Sequence, residues 1–141
     1  MSQAAPLRHI EGLGLWAQRL LVVQAVVCAV AIALALARGP AVSAAEDDPV
    51  WLGLMLLQLL IFIFAGFVVL RWTYIATANV HAFGAEGLAA GPGMAVVSYF
   101  IPVANLVMPF QALRDVWKAS VEPRDWEVIA TPPLLRWWWF F

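Results

Sequence analysis

The sequence predicts an all-α integral membrane helical bundle with two full transmembrane helices, a proline-broken third membrane segment and a short amphipathic helix. Three observations carry this. Of 141 residues, 64% are hydrophobic and 12% charged, against about 45–50% and about 25% in a soluble domain. Two long intervals contain no charged residue, and a third apolar stretch is interrupted by prolines. A domain of roughly 150 residues keeps about a third of its surface in water, so one small core cannot hide this much apolar side chain. Disorder needs low hydrophobicity and high net charge, and neither is present. A net charge of -1 and a pI near 6.0 lack the basic footprint of nucleic-acid binding. The single cysteine excludes an internal disulfide.

After an amino-terminal tail (1–19), the first span is expected over 20–38. Leu20 to Ala37 are 18 residues without charge, interrupted only by Gln24 and Cys28. The second span is expected over 49–71, where Pro49 to Leu70 hold 22 uncharged residues with Gln58 the one strongly polar side chain. About 20 apolar residues cross a hydrocarbon core of about 30 Å as a helix, and neither segment alternates as a barrel strand must. Ala25, Ala29, Ala33 and Ala37 recur every four residues, a small-residue stripe on which another helix can pack closely. Asp48 is a good N-cap for the second span, Pro49 suits its first turn, and Glu46 and Asp47 complement the helix dipole. Trp16, Trp51, Trp72 and Tyr74 fall at the segment ends, as interfacial aromatics do. Val42-Ser43-Ala44 resembles a signal cleavage site, but the apolar stretch exceeds the 7–15 residues of a signal core, so the first segment is read as a retained span.

The third segment (94–110) differs. GAEGLAAGPG, residues 84–93, is a breaker-rich connection that ends the second helix. From Gly87 to Leu113 no residue is charged, yet Pro102 and Pro109 interrupt the run. Each proline frees the carbonyl four residues earlier, those of Ser98 and Asn105. On a continuous helix Ser98, Pro102, Asn105 and Pro109 share one face, which must meet other helices or water. Residues 111–120 follow as an amphipathic helix, with Ala112, Leu113, Val116 and Trp117 opposite Arg114, Asp115 and Lys118. Glu122 to Thr131 is a polar loop by composition. The run LLRWWWFF (134–141) reads as the start of a further, truncated span.

Eight basic residues set the orientation. A cytoplasmic amino terminus with a third segment that does not cross puts seven inside and Arg38 outside, the best fit to the positive-inside rule. A full third crossing gives three inside and five outside; an external amino terminus with that crossing gives five and three.

From Trp72 the residues form a pattern. RWTYIATANVHAFGAEGL and GPGMAVVSYFIPVANLVMPFQALRDVWKAS carry Asn79, Pro92-Gly93, Phe100-Ile101-Pro102, Ala104-Asn105-Leu106, Pro109, Gln111-Ala112, Trp117 and Ala119-Ser120. In these the chain, over Arg71 to Ser120, resembles the bacterial membrane family called domain of unknown function 4328. The two spans before it agree in number. Ile75 stands where the family has an arginine, Met94 where it has a tryptophan and Phe110 where it has a tyrosine. The resemblance implies a multi-pass membrane fold and no particular activity; relatives continue with further spans after the aromatic cluster. Seven Arg to one Lys and abundant Ala agree with a GC-rich bacterial source.

Catalytic chemistry finds no footing. His9 and His81 lack a second ligand at metal spacing, Cys28 has no basic neighbour, and Ser98 has no His and acid to activate it. Gly84, Gly87 and Gly91 follow no strand, and Glu46, Asp47 and Asp48 read as a solvated cap. No cofactor is expected. The polar candidates are Ser98, Pro102, Asn105 and Pro109, with Gln24, Gln58 and Asn79 as polar partners from the spans. They fit either a non-catalytic scaffold or regulatory module of the cytoplasmic membrane, or a small transporter or channel subunit with a polar path at Asn105. The expected partners are the lipid bilayer and a second copy or another membrane protein.

Overall fold

The computed structural model describes residues 10–38 and 49–140, the side chain of Arg38 apart. The Asp48 cap with Glu46 and Asp47, the cleavage-like Val42–Ala44, the first nine residues of the tail with Arg8 and His9, and Phe141 lie outside the described residues. Every regular element among the described residues is helical: α1 (Glu11–Arg38), α2 (Pro49–Ala82), α3 (Pro92–Val97), α4 (Met108–Val121) and α5 (Pro133–Phe140), with 3-10 turns at Ser98–Phe100, Ala104–Leu106 and Trp126–Val128.

At 1.5 Å per residue α1 is about 42 Å long and α2 about 51 Å, and both are long and apolar enough to cross a membrane. Helix α1 starts at Glu11, nine residues before the apolar run, because Leu13 to Leu20 hold no breaker but Gly14 and Glu11 complements the dipole in the first turn. Pro49 opens α2, as its fixed φ favours.

The chain forms two compact units, Glu11–Val69 and a second that runs from Leu70 onward and includes Ile10. In the first, the more buried stripe of α1 is Ala17, Leu20, Gln24, Cys28, Ala31 and Ala35. The Ala25, Ala29, Ala33, Ala37 stripe is exposed instead. A spacing of four drifts around a helix of 3.6 residues per turn, and the face that meets α2 is fixed by Gln24 and Cys28.

The second unit begins with the last turns of α2. That helix ends in a glycine cap: Gly84 at φ +90° is the C′ residue, with Gly84 N–H to His81 C=O at 3.0 Å and Ala85 N–H to Val80 C=O at 3.2 Å. Val80 and Ala85 then join one core cluster with Ala76, Val116, Ala119 and Trp126; Ala90, Ala95 and Ala112 form another. Alanine dominates both, so backbones rather than long side chains set the spacing.

The residues of the expected proline-broken third segment (94–110) form short separate pieces, α3, two 3-10 turns and the start of α4. Ile101 takes an extended conformation (φ -94°, ψ 114°) because Pro102 disfavours the α region for the residue before it. Pro109 sits in the first turn of α4, where its missing N–H costs nothing. Among the described residues only α1 and α2 are long enough to cross. Helix α4 runs from Met108, three residues earlier than expected, and its buried face is Pro109, Ala112, Asp115, Val116 and Ala119. Asp115 therefore lies on the buried side, not the solvated one, while Trp117 is exposed. The polar loop after Glu122 contains a turn that buries Trp126.

Candidate functional site

The seven polar candidates fall into separate places. Gln24 and Gln58 are brought together by the helix pair. The Gln58 side-chain amide donates to Cys28 Sγ at 3.0 Å, and that of Gln24 approaches the same sulfur at 3.8 Å. The thiol, one turn from Gln24, thus takes its polar contacts from both helices. Gln24 Oε1 is buried without a hydrogen-bond partner. Beside this cluster lies an open groove of about 390 Å³ lined by Gln24, Met55, Gln58, Leu59 and Phe62.

In the second unit the four residues expected on one face part company. Ser98 and Pro109 are fully buried, whereas Pro102 and Asn105 are exposed. The Ser98 hydroxyl donates to Ala95 C=O at 3.0 Å within its own turn. Asn105 holds its turn through its backbone, its N–H donating to Ile101 C=O at 2.7 Å. The face was derived from 3.6-residue periodicity, which ends where Ile101 becomes extended. Asn79 is half-buried on α2, and its carbonyl receives the Phe83 N–H at 2.9 Å.

A ladder runs along α2 from the buried Thr73 and Thr77 to the exposed His81. The Thr77 hydroxyl donates to Thr73 C=O, and His81 Nδ1 donates to Thr77 C=O, both at 2.8 Å. A carbonyl only accepts, so this contact fixes the proton on Nδ1. The Thr73 hydroxyl is itself buried and faces the Tyr99 phenol without closing a hydrogen bond of ordinary geometry.

The best-organised polar centre is one the sequence reading missed. Asp115, 2% exposed, accepts the Ala89 N–H through Oδ2 at 2.9 Å and Arg114 Nε and Nη2 through Oδ1 at 2.8 and 2.7 Å. One carboxylate therefore clasps α4 to the glycine-rich connection. Beside it Trp126 donates its indole N–H to Glu86 C=O at 2.8 Å, and the Lys118 ammonium stands 6.0 Å from its ring. The signal for Asp115 was present: it shares a helix face with Ala112 and Ala119, three and four residues away. Trp126 was marked only by being a lone aromatic in a charged loop.

A family profile described as Domain of unknown function (DUF4328) matches residues 39–141. The chain belongs to this family. The match takes in all of α2 and everything after it, so the DUF4328 region contains the Asp115 clasp, Trp126 and the proline-broken corner, while α1 precedes it. No curated protein and no solved structure matches the chain. Membership in DUF4328 brings no activity with it.

Proposed function

We propose that this DUF4328 protein is a non-catalytic scaffold or regulatory module of the bacterial cytoplasmic membrane, anchored by α1 and α2 with its amino terminus in the cytoplasm. That orientation puts Arg71, Arg114, Lys118 and Arg124 on the cytoplasmic side, as the positive-inside rule favours. The observation that carries the reading is the Asp115 clasp. Its carboxylate is committed to Arg114 and Ala89 N–H, so it serves the fold of the unit and not a reacting group. The same unit exposes Glu86, Glu122, Arg124, Asp125 and Glu127, a mixed-charge edge suited to a protein partner.

A second reading, a small transporter or channel subunit, draws its support from the amide cluster. Gln24 and Gln58 line a groove between two spanning helices, whereas Asn105, on which the polar path was expected, is exposed on a turn. Purified protein in sealed vesicles separates the two. The scaffold reading expects ion and solute flux equal to that of empty vesicles. Flux that Asn105→Leu or Gln58→Leu abolishes while helix content stays unchanged overturns it in favour of transport.

A further inference from the structure

The second unit exposes an apolar surface that neither reading uses. At the corner after α3, Phe100 is 71% exposed, Val103 81% and Leu106 69%; on α5, Trp138 is 58% and Phe140 84% exposed. These two stretches are joined. Trp139 donates its indole N–H to Leu106 C=O at 3.2 Å, and its ring stands 5.7 Å from that of Phe110.

We propose that the 100–107 corner and the described residues of α5 form one apolar foot that lies within a single leaflet of the bilayer. This rests on the reading that α1 and α2 span the membrane. Three observations name lipid as the occupant. First, Leu70 continues directly from the spanning part of α2, so the unit is tethered at the membrane surface and its apolar side chains have hydrocarbon within reach. Second, the charge-free run from Gly87 to Leu113 contains the corner, and α5 is amphipathic with Trp residues beside Arg136. That composition suits a helix lying in the interface, with the arginine reaching to the headgroups. Third, the Leu106 carbonyl is answered by an indole from 33 residues away, a bond that matters where water does not supply a donor. With six residues, α3 is about 9 Å long, far short of the core.

The test labels single cysteines with an environment-sensitive fluorophore in the full chain carrying Cys28→Ala, reconstituted into vesicles whose lipids carry nitroxide quenchers at known depths. Val103→Cys and Phe140→Cys read the foot, Ala29→Cys reads α1, and Arg124→Cys reads the charged edge. Because Val103 and Phe140 are exposed, these substitutions leave packing intact. The foot expects blue-shifted emission at 103 and 140, quenched by nitroxides near the headgroups, with 29 quenched by those at the bilayer centre and 124 unquenched. Water-like, unquenched emission at 103 and 140 with 29 still quenched overturns the foot and leaves the spans standing. Blue-shifted but unquenched emission at 103 and 140 means that protein covers the patch, and equally overturns it. Loss of quenching at 29 removes the spanning reading and the foot with it.

Discussion

In the helix pair, the most apolar stretch of α1 has no buried residue at all, whereas the unit from Leu70 onward closes small cores around Ala95 and Ala119, both at 0% exposure. The polar groups differ in number and in partner. Between α1 and α2 the Gln58 amide meets Cys28 and Gln24 Oε1 is left without a partner; in the second unit Asp115, Trp126, Thr77 and Ser98 are each satisfied at 3.0 Å or less, the buried Thr73 hydroxyl being the exception. A helix meets its backbone hydrogen bonds internally and relies on lipid to complete its surface. A unit of short helices and turns exposes many more backbone ends and must answer each with a neighbour. The comparison teaches that hydropathy alone describes the first region, while the second is specified by particular side chains at particular carbonyls and amides.

Substitutions at three positions sharpen or break that contrast, the position with the largest effect first. Trp126→Ala removes the largest side chain of the second unit's core and should destabilise it by about 4 kcal/mol. Trp126→Phe, which keeps most of the volume and loses the bond to Glu86 C=O, should cost about 1 kcal/mol for the hydrogen bond. Denaturant unfolding of the full chain in detergent, followed by protection of the 83–91 connection from protease, reads both. Equal effects of the two changes would show that packing is not what Trp126 supplies.

Asp115→Ala should cost about 2–3 kcal/mol, since it strands the Ala89 N–H and removes charge-assisted bonds. Arg114 is partly exposed and recovers some of its hydration, which keeps the loss below that of a fully buried pair. The helix content of α1 and α2 should survive; a collapse of the whole chain would mean that the two units are not energetically distinct. The smallest effect is expected at Gln58→Leu, about 0.6 kcal/mol, the average for hydrogen bonds between membrane helices. Helix-pair association measured by energy transfer between labelled α1 and α2 would read it. A loss as large as that of Asp115→Ala would show that the amide cluster, and not lipid-facing packing, holds the pair.

What the sequence made legible follows the same division. Both long apolar helices were readable from charge-free length, the start of α2 from Pro49, and its end from Gly84, because each is a local property. The broken third segment was readable as broken, from Pro102, but not in its consequence. Placing Ser98 and Asn105 on one face assumed a helix that Ile101 does not continue. The amide pair Gln24 and Gln58 was foreseeable as polar residues seeking company, though their meeting at Cys28 depends on the rotation of two helices. Asp115 was put on the solvated side despite sharing a face with Ala112 and Ala119, and Trp126 was not singled out; their partners, Ala89 N–H and Glu86 C=O, are backbone groups 26 and 40 residues away, and backbone groups leave no mark in a sequence.

The alanine cores carry a consequence for how such a chain drifts over generations. A buried leucine has several neutral substitutes of similar volume, but a fully enclosed alanine such as Ala95, Ala112 or Ala119 has almost none. Anything larger forces the backbones apart, and glycine weakens the helix by roughly 1 kcal/mol. Random substitution is therefore free to exchange Leu, Val and Ile across the exposed apolar sides of α1 and α2, while the small unit is confined to change at its rim. Where relatives are aligned, the least apolar-looking part of the molecule should be the one whose interior changes most slowly.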